Sequence, residues 1–365
     1  MAEPARVLIV DDSRIFRSLL EEALAGQEGI TVAGSVFSGA KALEFIQTTR
    51  PDVVTLDVEM PGLGGLEVLE AIQRLNAGRP SQEEVGVIMV SAFTKRGADV
   101  TVRALQAGAF DFVTKPNAAS EQENLSVLRE QLLGMIRLYV ARRAARLPGV
   151  TVARHASPAA TGKRPCRVSG KPVGAIVMAA STGGPRALAA LLPELGRRVA
   201  LPVLVVQHMA APFTLSLAEC LTRQTGQTVV EAADGELLRP RTVYIAPGGK
   251  HLLLRRADGA MWTSVNEQPP ENGFRPSADV LFRSAASVYD GDVVAVVLSG
   301  MGCDGTAGLR PLKRAGGYVI VQDEATSIVW GMPGSAVRAG LADEVLPLGE
   351  IAEAVGELVA ARERG

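Results

Sequence analysis

Cysteine is scarce in this 365-residue sequence, which contains only Cys166, Cys220 and Cys303. These residues lie far apart and form no Cys-x-x-Cys pair, so we expect neither a disulfide framework nor a cysteine-based zinc site. Long hydrophobic runs are also missing, since none approaches the roughly 18–20 apolar residues that span a bilayer. The N-terminus likewise lacks the apolar core of a signal peptide. These absences favour a cytoplasmic protein.

Aromatic residues make up only 4% of the chain, and the formal net charge is −1. The hydrophobic cores must therefore consist of Val, Ile, Leu and Ala, which is typical of α/β proteins with buried parallel strands. The near-neutral net charge also argues against a surface that attracts nucleic acid in general, although it allows a local basic patch.

Short apolar runs alternate with helical patterns in both halves of the chain. Buried strands are indicated by "RVLIV" and "DVVTLDV" in the first half and by "LPVLVVQH" and "DVVAVVLSG" in the second. Such alternation predicts parallel sheets with helices on both faces. We therefore predict the α/β class, with two doubly wound parallel-sheet domains.

Acidic residues are absent from residues 131–193. Within that stretch, residues 141–172 are rich in Pro, Gly, Ser and basic residues, which predicts a linker. Its basic side chains either keep a flexible linker hydrated or form a cationic strip that attracts an acidic partner. We predict a first domain over 1–120, a helical extension and basic linker over 121–172, and a second domain over 173–365.

Five polar residues follow the predicted strands of the first half. In chain order they are Asp11, Asp12, Asp57, Ser91 and Lys115. The carboxyl ends of parallel strands meet at one edge of a sheet, so we expect these side chains to converge. Crowded carboxylates repel one another unless a cation joins them, and an all-oxygen cluster favours Mg²⁺. Asp57 can then serve as a phosphoryl acceptor, with Ser91 and Lys115 holding the phosphoryl oxygens.

Taken singly, Asp11 and Asp12 could equally cap helices. The complete set is more specific, because "MPG" follows Asp57 and "KP" begins at Lys115. Residues 6–120 resemble a response-regulator receiver domain. The resemblance implies a flavodoxin-like fold and phosphorylation of Asp57 by a sensor histidine kinase. The metal ligands that it implies are Asp11, Asp12, Asp57 and the backbone carbonyl of Glu59.

The stretch "AASTGGPRAL" leaves an apolar run through a hydroxyl pair and two glycines. It matches neither the G-x-G-x-x-G loop of dinucleotide-binding proteins nor a Walker A loop. Pro185 suits the first turn of a helix and Gly184 its cap, which leaves the Ser181 hydroxyl free at the strand tip. A serine in that position is a candidate nucleophile if a base lies nearby.

Three histidines are candidates for that base. His155 lies in the predicted linker and His251 follows "YIAPGGK", whereas His208 ends the run "LPVLVVQH". Asp304 also follows a predicted strand, so Ser181, His208 and Asp304 can meet at one sheet edge as nucleophile, base and orienting acid. Their order along the chain differs from that of α/β-hydrolases and of chymotrypsin-like and subtilisin-like enzymes. On pattern alone, a histidine at a strand tip is also compatible with an ordinary residue at the edge of the core.

Six longer blocks extend this pattern, namely "AASTGGPRAL", "VVQHM", "YIAPGGKHL", "FRPSADVLFRSAA", "LSGMGCDGTAGL" and "GMPGSAV". They resemble the catalytic domain of chemotaxis protein-glutamate methylesterases, the CheB family, and the receiver, linker and catalytic domain follow in that family's order. The resemblance implies a Rossmann-like domain with Ser181, His208 and Asp304 as the triad. It also implies support from Thr182 and oxyanion binding by the backbone N–H of Met301.

The resemblance implies a phosphorylation-activated hydrolase that demethylates glutamate methyl esters, releasing methanol, and deamidates glutamines on chemoreceptor helices. Such a reaction provides sensory adaptation in a two-component chemotaxis pathway. The esterase needs no cofactor, whereas the receiver needs Mg²⁺. The implied partners are methyl-accepting chemoreceptors and a sensor histidine kinase. We expect a monomer that reaches the membrane only through receptors and binds no nucleic acid.

Three alternatives are weaker. A DNA-binding regulator would also carry a receiver, but its output half would contain a basic recognition helix instead of many strands. A binding module with an inactive hydrolase fold would not need Ser181, His208 and Asp304. Cys303, beside Asp304, could be a nucleophile but has no paired base of its own.

Overall fold

The computed structural model describes residues 3–80, 83–117, 120–145 and 171–364. The chain forms two compact units, Met1–His155 and Ala156–Gly365. Most of the predicted linker lies outside the described residues, and so do His155 and Cys166. Within the described ranges, every helix is too short or too polar to cross a membrane.

Among its described residues, the first unit contains five strands and five helices. The strands are β1 (Ala5–Val10), β2 (Ile30–Val36), β3 (Val53–Asp57), β4 (Gly86–Ser91) and β5 (Asp111–Thr114). The helices are α1 (Arg14–Leu24), α2 (Gly39–Thr49), α3 (Gly65–Asn76), α4 (Lys95–Gln106) and α5 (Glu121–Ala145). The strands form one parallel sheet in the order β2-β1-β3-β4-β5. Strands β3 and β4 are buried throughout, as expected of a sheet covered on both faces.

Helix α5 corresponds to the helical extension that was predicted outside the first domain. It packs against α1, and Leu128 and Ile136 are fully buried. Near its end, the Tyr139 hydroxyl donates a hydrogen bond to the Glu84 carbonyl at 3.0 Å. The helix is therefore part of the first unit's core, because its apolar side chains have a surface of that unit to cover.

The second unit contains nine strands and six helices among its described residues. The strands are β6 (Ala175–Ala180), β7 (Val203–Gln207), β8 (Thr228–Glu231), β9 (Thr242–Ile245), β10 (His251–Ala257), β11 (Ala260–Asn266), β12 (Val293–Val297), β13 (Tyr318–Gln322) and β14 (Glu344–Leu346). The helices are α6 (Gly184–Arg198), α7 (Phe213–Thr225), α8 (Ala278–Tyr289), α9 (Thr306–Arg314), α10 (Met332–Arg338) and α11 (Leu348–Glu363).

Seven of these strands form a parallel sheet in the order β14-β13-β12-β6-β7-β9-β8. The predicted fold class, two doubly wound parallel-sheet domains, is confirmed. Strand β6 lies between β12 and β7, with Ala180 opposite Gln207 and Ala179 opposite Val297. The loops that follow these three strands therefore begin side by side at one edge of the sheet.

The remaining two strands form an antiparallel hairpin that the sequence analysis did not predict. Strands β10 and β11 pair with each other, and β10 packs against α8. Their turn contains Asp258 and Gly259 with φ angles of 52° and 74°. An Asp-Gly pair with positive φ is a strong hairpin signal, so the information was present in the sequence.

Substitution of a core residue of α8 tests this packing. Phe282 is fully buried in the main hydrophobic cluster of the second unit. We expect Phe282→Ala to lower the free energy of unfolding by roughly 3–5 kcal/mol, because it removes a buried ring and leaves a cavity.

Tryptophan fluorescence during urea unfolding measures this change in the second unit alone, since Trp262 and Trp330 are the two tryptophans of the chain. The control is Leu237→Ala, at a side chain that is 40% exposed, and its loss should stay within about 1 kcal/mol. Equal losses in the two variants would contradict the described core.

Candidate functional site

Three carboxylates of the first unit lie at the carboxyl ends of β1 and β3. Oxygen atoms of Asp11, Asp12 and Asp57 lie within 4.8 Å of one another. Asp11 and Asp57 are buried, whereas Asp12 is exposed. The Lys115 ammonium lies 2.7 Å from Asp11 Oδ2 and 2.9 Å from Asp57 Oδ2. The structure thus brings together four residues that the sequence places at three different strand ends.

Burial and neighbouring charges make this pocket receptive to a cation. Burial raises the pKa of Asp57 to about 6, the Asp11 charge adds to this effect, and Lys115 opposes it. Burial acts to lower the pKa of Lys115, but its hydrogen bonds to both carboxylates outweigh burial and raise that pKa. The donor set is entirely oxygen and includes one exposed carboxylate, so it fits Mg²⁺, which takes few protein ligands and keeps several waters.

Two further predicted residues border the pocket. Ser91 is buried at the end of β4, and its hydroxyl donates to the Ala92 carbonyl at 3.3 Å. The backbone N–H of Glu59 donates to Asp57 Oδ1 at 3.4 Å, while the Glu59 carboxylate forms an exposed ion pair with Arg96 at 3.3 Å. Glu59 therefore contacts Asp57 through its backbone and not through its carboxylate.

Ser181 and His208 occupy neighbouring strand tips in the second unit. Ser181 directly follows β6, and His208 directly follows β7. The backbone N–H of His208 donates to the Ala180 carbonyl at 3.0 Å. On the other side of β6, the Ser181 N–H donates to the Ser299 carbonyl at 3.0 Å. Ser299 lies in the loop after β12 that leads to Asp304. The parallel register thus gathers the serine, the histidine and the aspartate loop at one edge of the sheet.

The His208 imidazole is bonded to Asp304 through Nε2. Nε2 lies 2.7 Å from Asp304 Oδ2, and both side chains are buried. His208 Nδ1 is also buried, and within the described ranges it forms no hydrogen bond. A neutral imidazole that donates its proton from Nε2 keeps a lone pair on Nδ1. Nδ1 is therefore the atom of this ring that can accept a proton.

Asp304 is held in turn by the N-terminal end of α8. Its carboxylate accepts hydrogen bonds from the Ser277 hydroxyl at 2.7 Å and from the N–H groups of Ala278 at 2.7 Å and Asp279 at 3.1 Å. Burial acts to raise the pKa of Asp304, but hydrogen bonds from His208, Ala278 and Ser277 outweigh it and hold that pKa below its usual range. Asp304 therefore stays ionised and can fix the orientation of the imidazole.

Asp279, in the first turn of α8, has a pKa that is shifted in the opposite direction. It is buried and accepts hydrogen bonds from the Gly308 N–H at 2.6 Å and from Asn272 Nδ2 at 3.3 Å. Burial raises the pKa of Asp279 to about 6, against the Gly308 hydrogen bond and together with the Asp304 charge. Two neighbouring carboxylates thus differ in pKa because only one of them receives enough hydrogen bonds to offset its burial.

The two residues predicted to support the reaction lie close to Ser181. Thr182 is buried, and its carbonyl accepts a hydrogen bond from the Ser299 hydroxyl at 2.8 Å. Met301 is 51% exposed in the loop after β12. A Cβ atom added to Gly300 would lie 2.9 Å from Ser181 Cβ, so this loop passes directly against the serine.

Two other residues of the site carry no clear signal in the sequence. Gln207 Nε2 donates to the carbonyls of Ser181 at 3.0 Å and His208 at 3.3 Å, which ties the two strand tips together. The Gln207 amide lies against Gly184, where an added Cβ would be 1.9 Å from Gln207 Oε1. The Phe274 ring stacks on the His208 imidazole. Both residues belong to quoted sequence blocks, but their types alone do not indicate these contacts.

The helix after Ser181 begins one residue earlier than expected. Helix α6 starts at Gly184, with Gly183 as its N-cap at a φ of 83° and Pro185 in its first turn. His251 and Cys303, the other candidate base and nucleophile, have different surroundings from His208 and Ser181. His251 Nε2 lies 3.1 Å from the Pro269 carbonyl, and Cys303 is exposed.

Asp279 and Asp304, two buried carboxylates that meet at the N-terminal end of α8, predict opposite pH effects on stability. Because the pKa of Asp279 is raised in the folded state, ionising it above about pH 6 costs stability. We expect Asp279→Asn to raise the free energy of unfolding at pH 7, and this gain to fade as the pH falls towards 4.

Folding lowers the pKa of Asp304, so its ionised carboxylate stabilises the fold above about pH 4, and this stabilisation is lost as the pH falls further. Asp304→Asn should therefore lower the free energy of unfolding at pH 7. Urea unfolding followed by tryptophan fluorescence measures both variants, with the exposed Asp290→Asn at the end of the same helix as the control. Changes of the same sign in Asp279→Asn and Asp304→Asn would contradict the assigned charge states.

Both halves of the chain match known protein families. Residues 176–355 match the CheB methylesterase family, and residues 7–125 match the response regulator receiver domain. The chain is 40% identical over 355 residues to a protein-glutamate methylesterase/protein-glutamine glutaminase of Trichodesmium erythraeum, which covers 96% of this chain and 97% of that protein. A protein of the same name from a Nocardioides species is 44% identical over 352 residues, or 95% of this chain and 93% of that protein.

One solved structure supports the same relationship for the second unit. The crystal structure of the Thermotoga maritima CheB methylesterase catalytic domain aligns with a TM-score of 0.50 and 43% sequence identity. The alignment covers 51% of this chain and 98% of that domain. The chain therefore belongs to the protein-glutamate methylesterase/protein-glutamine glutaminase family, with a receiver domain ahead of a CheB methylesterase domain.

Proposed function

We propose that the second unit hydrolyses glutamate methyl esters, with Ser181 as the nucleophile and His208 as its general base. One observation carries this proposal: His208 Nε2 is bonded to Asp304, while its buried Nδ1 has no partner among the described residues. The imidazole stands on the strand tip next to Ser181. A ring fixed at one nitrogen and free at the other is what a base for a neighbouring hydroxyl requires.

The reaction begins when Ser181 Oγ attacks the side-chain carbonyl carbon of the methylated glutamate. His208 Nδ1 accepts the hydroxyl proton and then transfers it to the methoxy oxygen, so that methanol leaves and a glutamyl-serine ester remains. Water then attacks this ester and gives a proton to His208 Nδ1, which returns it to Ser181 Oγ. The glutamate carboxylate is released, and the enzyme is restored.

Deamidation of glutamine follows the same course with a different leaving group. The side-chain amide carbonyl is attacked by Ser181, and His208 protonates the departing nitrogen, so that ammonia is released. Both substrates pass through one glutamyl-serine ester, which explains how a single site serves as a methylesterase and a glutaminase.

The negative charge of the tetrahedral intermediates requires donors beside Ser181. We assign this role to the backbone N–H of Met301, with Thr182 supporting the serine from the next position along the chain. The assignment is supported by the close approach of the Gly300 backbone to Ser181 and by the Ser299 hydroxyl, which bonds the Thr182 carbonyl. A loop held in this way can present backbone donors without reorganising during the reaction.

The first unit is proposed to control this activity through phosphorylation of Asp57. Mg²⁺ would be held by Asp11, Asp12, Asp57 and the backbone carbonyl of Glu59. When bound, the ion offsets the charge of the incoming phosphoryl oxygens. Lys115 and Ser91 would hold those oxygens, a role supported by the position of Lys115 between two of the carboxylates and of Ser91 at the next strand end.

This function defines the partners. The substrates are glutamate and glutamine side chains on the cytoplasmic helices of methyl-accepting chemoreceptors, and the phosphoryl donor is a sensor histidine kinase. Together they make the protein an adaptation enzyme of a two-component chemotaxis pathway. We propose that it acts as a cytoplasmic monomer, approaches the membrane only through these receptors and binds no nucleic acid.

Replacement of the nucleophile tests the hydrolase mechanism. Ser181→Ala should lower methanol release from methylated receptor fragments by at least about 1000-fold, because the covalent route is lost. Cys303→Ser is the control, since Cys303 is an exposed nucleophile one residue from Asp304. The control should retain the rate of the unchanged protein. If Cys303→Ser were inactive and Ser181→Ala active, the assignment of the nucleophile would be wrong.

Acetyl phosphate tests the control by the first unit. We expect it to raise methanol release only when Mg²⁺ is present, and chelation with EDTA should remove the increase. Asp57→Asn should abolish the increase, because an amide cannot accept the phosphoryl group. Glu28→Gln, at an exposed acid of the same unit, should keep it. Full stimulation of Asp57→Asn would show that the acceptor lies elsewhere.

A further inference from the structure

We infer that Phe274 is a positioning residue for the reaction, acting through the His208 imidazole. This inference rests on the proposed triad. The two ring centroids are 4.1 Å apart and the ring planes are inclined by only 11°, so the phenyl ring covers one face of the imidazole. Asp304 fixes the same imidazole from its edge, through Nε2. The base is therefore restrained in two perpendicular directions.

Phe274 also lies close to the loop that carries the proposed oxyanion donor. A Cβ atom added to Gly302 would lie 3.9 Å from the Phe274 ring, at ordinary van der Waals distance. Gly302 directly follows Met301, whose N–H is proposed to bind the oxyanion. The half-buried phenyl ring thus extends from the base to the oxyanion loop, and its removal would affect the spacing between the two.

A tight turn sets the direction of Phe274. Reciprocal backbone hydrogen bonds join Glu271 and Phe274 at 3.1 and 2.9 Å. The two residues between them, Asn272 and Gly273, have φ angles of 51° and 83°. Positive φ at both central positions is the pattern of a type I′ turn, for which Asn-Gly is the favoured pair. The ring is therefore mounted on a short and conformationally restricted segment.

Helix α8 anchors this turn. The Arg283 guanidinium forms a two-point ion pair with the Glu271 carboxylate, in which Nη1 lies 2.6 Å from Oε1. Asn272 Nδ2 donates to Asp279 Oδ2 at 3.3 Å. The first turn of the same helix holds Asp304 through Ser277 and two backbone N–H groups. Helix α8 thus positions both groups that restrain the imidazole.

The chemistry explains why the second restraint matters. The imidazole must direct Nδ1 at Ser181 while it accepts a proton and again while it donates one. Rotation about the axis of the Nε2–Asp304 hydrogen bond would preserve that bond and yet turn Nδ1 away, and a ring stacked on the imidazole face opposes this motion. The electron-rich phenyl face also favours the imidazolium that forms during the reaction. Both effects act on the transition state more than on substrate binding.

Three substitutions separate positioning from simple packing. Phe274→Ala should lower kcat for methanol release by about 10- to 100-fold, which is the usual cost of a misplaced catalytic group. KM should change by less than about twofold, because the substrate contacts remain. Phe274→Tyr keeps a flat ring and should retain most of kcat, whereas Phe274→Leu keeps apolar bulk without a ring and should behave like alanine.

The control is Leu237→Ala, at a partly exposed apolar side chain of the same unit, which should leave kcat unchanged. Urea unfolding of each variant checks that the second unit stays folded at the assay temperature. If Phe274→Leu were as active as Phe274→Tyr, or if Phe274→Ala changed KM alone or nothing, the inference would be overturned. Activity retained by Ser181→Ala would instead overturn the proposed function, so the two failures are distinguishable.

A double-mutant cycle with His208 provides the decisive measurement. The rate at which a fluorophosphonate labels Ser181 can be followed over hours in slow variants. If Phe274 acts through His208, Phe274→Ala should slow labelling at least about tenfold in the unchanged protein but less than about twofold in His208→Ala. Equal slowing in both backgrounds would mean that Phe274 supports the fold of the site and does not position the base.

Discussion

The hydrogen bond between His208 Nε2 and Asp304 is the interaction on which the second unit's site depends. It joins the tip of β7 to the loop after β12, and the first turn of α8 stabilises its acceptor. Because it occupies Nε2, it leaves Nδ1 as the ring nitrogen that the proposed mechanism uses as the base. The imidazole therefore cannot change its tautomer without breaking a buried, charge-assisted contact, and such contacts are costly to break.

The two units place polar residues at the same position in a parallel sheet but balance their charges differently. In the first unit, three carboxylates lie close together and one lysine pairs with two of them, so the remaining negative charge favours binding of a divalent cation. In the second unit, a single carboxylate receives enough hydrogen bonds to stay ionised without a metal. The shared fold class thus explains where each site lies, and the local donors explain its chemistry.

The sequence contains enough information for the location of both sites, but less for how their residues are held. Asp57, Ser181 and His208 each end a strongly apolar run, and the geometry of a parallel sheet brings such ends together. The contacts of Gln207 and Phe274 depend on how close a helix or a turn approaches, which no residue pattern states. The Asp258-Gly259 hairpin was predictable in principle, but β10 mixes apolar with charged residues and β11 mixes apolar with polar ones. The packing of α5 depends on tertiary contacts with α1.

The contact between Gln207 and Gly184 has an evolutionary consequence. The amide that bridges the two strand tips occupies the space where any other residue at 184 would place its first side-chain carbon. A mutation at 184 alone would push this amide away from the Ser181 carbonyl. A shorter residue at 207 alone would remove the side-chain donor of that carbonyl and leave it the backbone N–H of residue 184 at 2.7 Å. Relatives that replace one of these residues should replace the other as well, so the two positions are expected to covary.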